Sequence, residues 1–199
     1  MEPLGLAELL RNQFPDEVLD IILHRGQAGV VVRRERIVEM LCWLRDDESC
    51  RMNHLLSLCG VDNAKRLHPS LERFEVVYNL YSIEQRHQLR LRAQVSEADA
   101  SIDSITSLWC GADWLERETW DLCGISFNNH PNLKRILLPE DWVGHPLRKE
   151  YALRGDREWQ GLEDLLARSK ALRGYDFGGD GTLPADAAVQ SLSSEAGER

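Results

Sequence analysis

The sequence lacks the residue groups that most often carry redox cofactors. Its five cysteines are widely spaced and form no Cys-x-x-Cys pair, which argues against a zinc ribbon and against a ferredoxin-type cluster. There is no G-x-G-x-x-G motif for a dinucleotide, and no Lys-Ser or Lys-Thr follows the glycines near residue 180 to make a phosphate loop. We therefore expect the chain to hold no cofactor and its cysteines to be reduced thiols that pack as small core side chains.

Excess basic charge and long apolar runs are also missing. The 24 basic and 33 acidic residues give a net charge of −9, which argues against nucleic acid as the main partner. No stretch approaches the roughly 20 apolar residues that span a bilayer, and the first residues lack the basic n-region of a signal peptide. We expect a globular protein that is neither secreted by a classical signal nor inserted in a membrane by itself.

Hydrophobic periodicity predicts an α+β domain, in which a mixed or antiparallel sheet is packed with helices. The predicted helices cover residues 4–10, 37–44, 105–122 and 158–172, with Gly111 as a break in the third and Gly124 at its C-terminus. The predicted strands cover residues 18–23, 30–32, 55–61, 74–81 and 89–95, and the last two form an antiparallel hairpin with one wet face. The domain is expected to span residues 1–172. Residues 173–199 form an acidic, Gly- and Ser-containing C-terminal extension.

One segment, residues 114–151, is unusual. It begins W-L-E-R-E-T-W-D-L-C-G, continues H-P-N-L-K-R-I-L-L-P-E-D-W and ends G-H-P-L-R-K-E-Y. Its first part belongs to the third predicted helix. The prolines and the glycine from residue 131 to 146 exclude a long helix and favour an ordered, irregular loop.

Charges of both signs crowd this segment. The helix carries Glu116, Arg117, Glu118 and Asp121. The loop carries Lys134, Arg135, Arg148 and Lys149. Arg117 and Asp121 have the spacing of an i, i+4 helix pair, and the acids have the chemistry to anchor loop arginines in bidentate fashion. We hypothesise that helix and loop lock together and present a shaped surface to a neighbouring protein of a complex.

Two readings of the other polar and aromatic residues remain open. His130, Glu140, Asp141 and His145 have side chains that bind metal or move protons, and this would suit a free-standing metal hydrolase. However, each His precedes a proline and no His-x-x-x-His pairing exists, which favours structural or interface roles. The tryptophans at 109, 114, 120 and 142 suit either a core or an interface, and Trp142 is the best interface candidate.

The quoted segment resembles the signature of the thirty-kilodalton subunit family of the respiratory NADH:quinone oxidoreductase (complex I). In that family a W-x-E-R-E-x-x-D-x-x-G helix leads into H-P-x-L-x-R-I-L and P-E-D-W-x-G-H-P-L-R-K-D-Y. The resemblance extends over residues 4–172. This chain departs from the family pattern at Trp120, Cys123, Asn128, Asn129 and Ala152, and none of these positions removes a charged member of the motif.

The resemblance implies a cofactor-free, non-catalytic subunit in the peripheral arm of a proton-translocating complex. Its partners would be the forty-nine-kilodalton subunit, called here the hydrogenase-like subunit, and neighbouring iron–sulfur subunits. FMN, the iron–sulfur clusters, NADH and quinone would be bound by those partners, at the cytoplasmic face of the bacterial inner membrane. The residues implied in structure or partner binding are Glu116, Arg117, Glu118, Asp121, His130, Arg135, Glu140, Asp141, Trp142, His145, Arg148 and Lys149.

An equivalent scaffold protein of a membrane-bound hydrogenase, or of a ferredoxin-oxidising NDH-type complex, is an alternative reading. The electron-input modules of such machines are separate polypeptides, so this sequence does not separate them. We also hypothesise that the C-terminal extension lies along the hydrogenase-like subunit and strengthens docking.

Overall fold

The computed structural model describes residues 2–65, 71–152, 159 and 161–172. Its helices are α1 (Pro3–Gln13), α2 (Ile37–Asp46), α3 (Ala112–Cys123) and α4 (Leu162–Leu172). Its strands are β1 (Val18–His24), β2 (Gln27–Arg33), β3 (His54–Asp62), β4 (Phe74–Ser82), β5 (His87–Val95), β6 (Ser101–Asp103) and β7 (Ser126–Asn128). The chain divides into two compact units, Met1–Gly155 and Asp156–Arg199. The predicted extension, residues 173–199, lies outside the described residues.

The main sheet is mixed and has the strand order β1-β2-β5-β4-β3. The β2–β5 pair is parallel, whereas β1–β2, β5–β4 and β4–β3 are antiparallel. This arrangement confirms the predicted α+β class, the hairpin of β4 and β5, and the strand predicted at residues 55–61. A second sheet, formed by the parallel pair β6 and β7, was not predicted.

The core lies on the sheet face that carries Val30, Leu91 and Tyr78, because these residues occupy paired positions on neighbouring strands. Leu10 of α1 and Met40 of α2 are fully buried against that face. Burying a side chain of this size stabilises the fold by about 1.5–3 kcal/mol. Helical periodicity in α1 and α2, and alternation in β4 and β5, therefore predicted the core correctly.

The opposite face of the β4–β5 hairpin is only partly wet, so the prediction of one wet face was too simple. Gln88 and Arg90 are exposed, but Glu75 is fully buried. The guanidinium of Arg92 donates two hydrogen bonds to the Glu75 carboxylate, at 3.0 and 2.8 Å. A long side chain that reaches across to the neighbouring strand can thus cover a charge that alternation alone assigns to solvent.

Gly26 and Gly111 both lie at the ends of elements, and the prediction for Gly111 needs correction. The β1–β2 turn uses Arg25 and Gly26, whose φ angles are 50° and 77°. Positive φ at both central residues is what a two-residue hairpin turn requires. Gly111 does not break a helix that begins at residue 105. It is the N-cap of α3, and the residues before it form turns.

Helix α3 packs against the edge strand β3 at Gly60. A Cβ on Gly60 would lie 2.9 Å from Thr119 Cγ2, which is closer than such contacts allow, and 3.1 Å from Cys123 Sγ, which is tighter than most. The missing side chain therefore lets α3 approach the sheet. Within the described part of the chain, every helix is too short or too polar to cross a bilayer.

Candidate functional site

The carboxylate of Asp121 on α3 organises the long loop, residues 129–151. Its Oδ1 accepts a hydrogen bond from Arg135 Nη1 at 2.6 Å. Its Oδ2 accepts three consecutive backbone N–H groups, from Ile136, Leu137 and Leu138, at 3.0, 2.8 and 2.9 Å. Asp121 is fully buried. Burial raises its pKa, but these hydrogen bonds outweigh burial and lower the pKa overall.

Arg135 connects three parts of the site. Besides Asp121, its guanidinium donates to the carbonyls of Trp142 at 2.8 Å and Gly144 at 3.3 Å. It also stacks over the Trp120 ring at 5.6 Å from the centroid. The predicted bidentate pairing is wrong in detail, because one carboxylate oxygen of Asp121 is used by backbone N–H groups. The guanidinium instead distributes its donors between the helix and the far part of the loop.

The C-terminal end of α3 is capped by residues of the long loop. Arg148 Nε donates to the Cys123 carbonyl at 2.9 Å, and its Nη2 donates to the Gly124 carbonyl at 3.2 Å. His145 Nδ1 lies 3.0 Å from the Asp121 carbonyl. Gly124 has φ 73°, as predicted for a residue that ends a helix. These contacts satisfy carbonyls that the helix leaves unpaired and place positive charge at the negative end of its dipole.

Arg117 has a different partner from the predicted one. Its Nε and Nη2 donate to the carbonyls of Lys134 and Arg135, at 3.1 and 3.2 Å, and its guanidinium stacks over Trp114. Asp121 faces Arg135 instead. The i, i+4 pair is therefore not formed, because the loop offers Arg117 two carbonyls and offers Asp121 a cluster of N–H groups.

Sequence reasoning missed a second anchor of the long loop, Asp62 at the end of β3. Its carboxylate accepts from the Lys149 backbone N–H at 2.8 Å and pairs with Arg73 at 3.3 Å. Arg73 also pairs with Glu97 and Glu150. Burial raises the pKa of Asp62, whereas the Arg73 and backbone hydrogen bonds lower it and prevail. Asp62 lies 87 residues from Lys149 in the sequence, and no local sequence pattern predicts such a contact.

Glu116 occupies a buried polar pocket below the start of the long loop. Its Oε1 accepts the Ile105 backbone N–H at 2.7 Å, and its Oε2 lies 2.7 Å from Ser104 Oγ. Burial raises its pKa, hydrogen bonds to Ile105 and Ser104 lower it in part, and the net value is about 7. The buried ring of His130 places Nε2 at 3.8 Å from Glu116 Oε2 and 3.1 Å from Asp113 Oδ1.

The four residues of the hydrolase alternative are not brought together. His130 contacts Asp113 at the start of α3, whereas His145 contacts Asp121 near its end. Eight residues of helix separate these contact points by about 12 Å. Glu140 and Asp141 are exposed. In the described ranges, no three His, Cys, Asp or Glu side chains converge in a way that could hold a metal ion.

The tryptophans divide between core and surface. Trp109 and Trp120 pack against the hydrophobic core, which agrees with the core reading. Trp114 is 61% exposed. Trp142 is half-buried in the long loop, and its indole Nε1 is buried without a hydrogen-bond partner among the described residues. Glu118 and Lys149 are exposed, and Lys149 serves the fold through its backbone N–H.

The long loop presents apolar side chains to solvent. Leu137 is 62% exposed, Val143 is 86% exposed and Leu147 is 52% exposed. Their backbone is nevertheless fixed, since Leu137 N–H binds Asp121 and Leu147 N–H binds the Leu122 carbonyl at 2.9 Å. A rigid segment with exposed apolar side chains and exposed charges around them has the anatomy of a protein–protein contact.

Comparisons with known proteins point to one family. Residues 30–157 match the family described as the 30 kDa subunit of the respiratory-chain NADH dehydrogenase. An NADH-quinone oxidoreductase subunit of Geobacter sulfurreducens is 48% identical over 150 residues, which cover 75% of this chain and 90% of that protein. The equivalent NADH-quinone oxidoreductase subunit of a Roseiflexus species is 50% identical over 148 residues, which cover 74% of this chain and 83% of that protein.

Solved structures share the fold. A trypsin-resistant fragment of Nqo5 superposes with a TM-score of 0.58 at 32% identity and covers 67% of this chain and all of the fragment. A chain of an archaeal membrane-bound sulfane sulfur reductase superposes with a TM-score of 0.62 over 92% of this chain and 100% of its own length. At 16% identity, that second likeness concerns the fold alone.

Fold, loop and relatives together define a subunit of a multisubunit respiratory oxidoreductase. Within that class, the chain belongs to the family of the 30 kDa subunit of NADH-quinone oxidoreductase, or complex I. The resemblance noted in the sequence is thereby confirmed.

Proposed function

We propose that the chain is a structural, non-catalytic member of complex I that docks on the hydrogenase-like subunit through the long loop. In this proposal it holds no cofactor, and the partners bind FMN, the iron–sulfur clusters, NADH and quinone. The assembly is the peripheral arm at the cytoplasmic face of the inner membrane, where electrons pass from NADH to quinone. Family membership supports the assignment to complex I, and the geometry of the loop supports the docking role.

The observation that carries the docking role is the combination of exposure and rigidity in the long loop. Leu137, Val143 and Leu147 are more than half exposed, so most of the surface of these side chains stays in water in the isolated chain. Asp121 and Arg135 hold their backbone in one conformation. A surface that is ordered before binding loses little conformational entropy on association, and its apolar area then contributes to affinity.

The charges around these side chains indicate which charges a complementary partner surface would carry. Glu140 and Asp141 are exposed beside Val143. A partner with an apolar patch and basic residues at its margin would complement this part of the loop, since rim charges govern orientation and association rate. We place that partner surface on the hydrogenase-like subunit, which the family resemblance implies.

Co-purification from cells that express the whole complex tests the proposal. In Val143→Asp and Leu137→Asp, a charge replaces an exposed apolar side chain, and the recovery of the hydrogenase-like subunit with this chain should fall at least about tenfold. Ile83→Asp is the matched control, because Ile83 is 61% exposed but lies in the β4–β5 turn. Equal recovery of that partner with Val143→Asp and Ile83→Asp would overturn the docking role.

The cofactor part of the proposal is tested separately. The purified chain should contain no stoichiometric iron, zinc or flavin when measured by elemental analysis and absorption spectroscopy. A bound group retained at one equivalent, and lost on substitution of a residue of this chain, would contradict it.

A further inference from the structure

A polar cavity of about 160 Å³ lies at the ends of β2 and β5, and it is called here the β2–β5 cavity. Arg33 and Gln94 occupy paired positions near the C-terminal ends of these parallel strands. Their side chains therefore point to the same face of the sheet, which is the face opposite the core. Leu19 of β1 and Ser96, which follows β5, also line the cavity. None of its described lining residues belongs to the long loop, so the cavity is separate from the proposed docking surface.

Gln94 brings to this cavity a buried donor that has no acceptor. The residue is 6% exposed. Its Oε1 accepts the Glu72 backbone N–H at 2.9 Å, and this bond fixes the orientation of the amide. Its Nε2 is buried and has no hydrogen-bond partner within the described ranges. Because a buried N–H without an acceptor is costly, this part of the cavity is short of an acceptor.

Arg33 also has donors that are not used. Its Nε donates to the Asp16 carbonyl at 3.2 Å, which orients the guanidinium without neutralising it. In contrast, the guanidinium of the neighbouring Arg34 donates to the Asp99 carboxylate at 2.6 Å and to the Ser101 carbonyl at 2.5 Å. Arg33 is exposed. Among the lining residues that the structure describes, it is therefore the cation that remains available to a ligand.

A carboxylate is the ligand that fits these donors. It is an acceptor-only group, and its two oxygens match the paired N–H groups of a guanidinium. The Ser96 hydroxyl, whose oxygen accepts the Asp99 N–H at 3.3 Å, keeps its own proton to donate. Glu35 and Glu72 also line the cavity. Their negative charges disfavour a doubly charged phosphate more than a single carboxylate.

A protein side chain is a better source of this carboxylate than a free acid. One exposed guanidinium binds a free monoacid weakly, whereas a docked protein holds its carboxylate at a high effective concentration. Leu19, which is 46% exposed on the cavity wall, offers an apolar contact to the methylene groups of an acidic side chain. The chain belongs to a family of subunits of a multisubunit complex, so other proteins lie beside it.

We propose that the β2–β5 cavity binds an aspartate or glutamate side chain of a neighbouring subunit. The carboxylate pairs with the Arg33 guanidinium and accepts the Gln94 Nε2–H, as the lining side chains adjust around it. This gives the chain a second contact besides the long loop. Neither contact requires the other, so failure of the cavity contact and failure of the docking role are separate experimental outcomes.

Carbodiimide coupling in the purified whole complex tests this contact. Arg33→Lys keeps the positive charge and supplies a primary amine, which the reagent joins to a carboxylate in contact with it, with loss of water. Mass spectrometry should find an amide bond between position 33 and an aspartate or glutamate of another subunit. Arg25→Lys is the matched control, because Arg25 is exposed in the β1–β2 turn. It should give at least about tenfold less intersubunit product.

A second variant should change the yield in the opposite direction. Combining Arg33→Lys with Glu35→Gln removes a negative charge from the cavity wall and a competing carboxylate of the same chain. The intersubunit product at position 33 should then increase by about twofold or more.

Three outcomes overturn the proposal. The first is coupling of position 33 only to carboxylates of this chain, whether in the same molecule or in a second copy. The second is equal intersubunit product at positions 25 and 33. The third is the absence of intersubunit product at position 33 in a complex that assembles normally.

Discussion

Asp121 Oδ1 and Arg135 Nη1 lie 2.6 Å apart, and the remaining oxygen of the same carboxylate accepts three successive backbone N–H groups of the long loop. One side chain of α3 thus replaces the hydrogen bonds that a strand or a helix would supply. The course of residues 136–138 is thereby fixed without regular structure, because their backbone donors have a common acceptor.

Replacing Asp121 by Ala should therefore unfold or loosen the loop and destabilise the chain. The change leaves Arg135 and three backbone N–H groups without their acceptor in a buried site. We expect a loss of about 3–5 kcal/mol in the free energy of unfolding, measured by urea titration. Glu118→Ala, on the exposed face of the same helix, is the control and should change stability by less than about 0.5 kcal/mol. Similar losses for the two variants would contradict the anchoring role of Asp121.

Two glycines at the ends of α3 should respond in opposite ways to alanine. Gly124 has φ 73°, and a Cβ there would lie 2.5 Å from His145 Cδ2 and 2.6 Å from Arg148 Nη2. We expect Gly124→Ala to cost at least about 2 kcal/mol, because backbone strain adds to the displacement of the capping side chains. Gly111 has φ −65° and open space around it, so Gly111→Ala should be neutral or stabilise by up to about 1 kcal/mol. Thermal unfolding of both variants decides the comparison.

The raised pKa of Glu116 predicts a loss of stability as pH rises. Between the ordinary pKa of about 4.5 and the folded value of about 7, the unfolded chain loses this proton and the folded chain keeps it. The unfolded state then binds fewer protons, so the free energy of unfolding falls by about 3 kcal/mol across that interval. Glu116→Gln has no proton to lose, and its stability relative to wild type should therefore be greater at about pH 8 than at about pH 5. Parallel pH profiles for the two proteins would exclude this assignment.

Elements with a clear hydrophobic period could be predicted from the sequence, and short elements could not. Met40 and Leu44 repeat at helical spacing in α2, and Val76 and Tyr78 occupy alternate positions in β4. The sequence of each element therefore predicts which side chains face the core. Strands β6 and β7 have three residues each, too few to show a period. The start of α3 was misplaced because Ile105 fits the helical pattern, whereas its N–H binds the Glu116 side chain.

Asp62 should control how firmly the last part of the long loop is held. In Asp62→Ala, the Lys149 N–H and Arg73 lose their shared acceptor. A local opening that becomes easier by about 1.4 kcal/mol speeds cleavage about tenfold. We therefore expect trypsin to cleave after Lys149 about tenfold faster, measured by mass spectrometry.

Two controls accompany that digestion. Cleavage after Lys134, near the Arg117 contacts, should keep its rate in Asp62→Ala. Asp20→Ala on the edge strand β1 should leave both rates unchanged, because within the described ranges the Asp20 side chain bonds only to the neighbouring Ile21 N–H. Equal acceleration at Lys134 and Lys149 would mean that Asp62 stabilises the whole chain and does not anchor this end of the loop.

The residues of the site could be predicted from the sequence, but their hydrogen-bond partners could not. The charges on α3 and in the loop indicated a lock, and Asp121, Arg135 and Arg148 do contact one another's segments. Which donor meets which acceptor depends on the path of the loop, and that path depends on contacts between residues far apart in sequence. The hydrogen bond between Asp62 and Lys149 is an example, because the residues next to each of them in the sequence do not predict it.

The notch that Gly60 leaves in β3 has an effect well beyond its own strand. A methyl group at this position would push against Thr119 and Cys123, and these two residues flank Asp121 on α3. Tilting the helix would move Asp121, and every donor that converges on it would have to follow. The orientation of the exposed long loop thus depends on the missing Cβ of Gly60. A screen restricted to surface substitutions would not include this position.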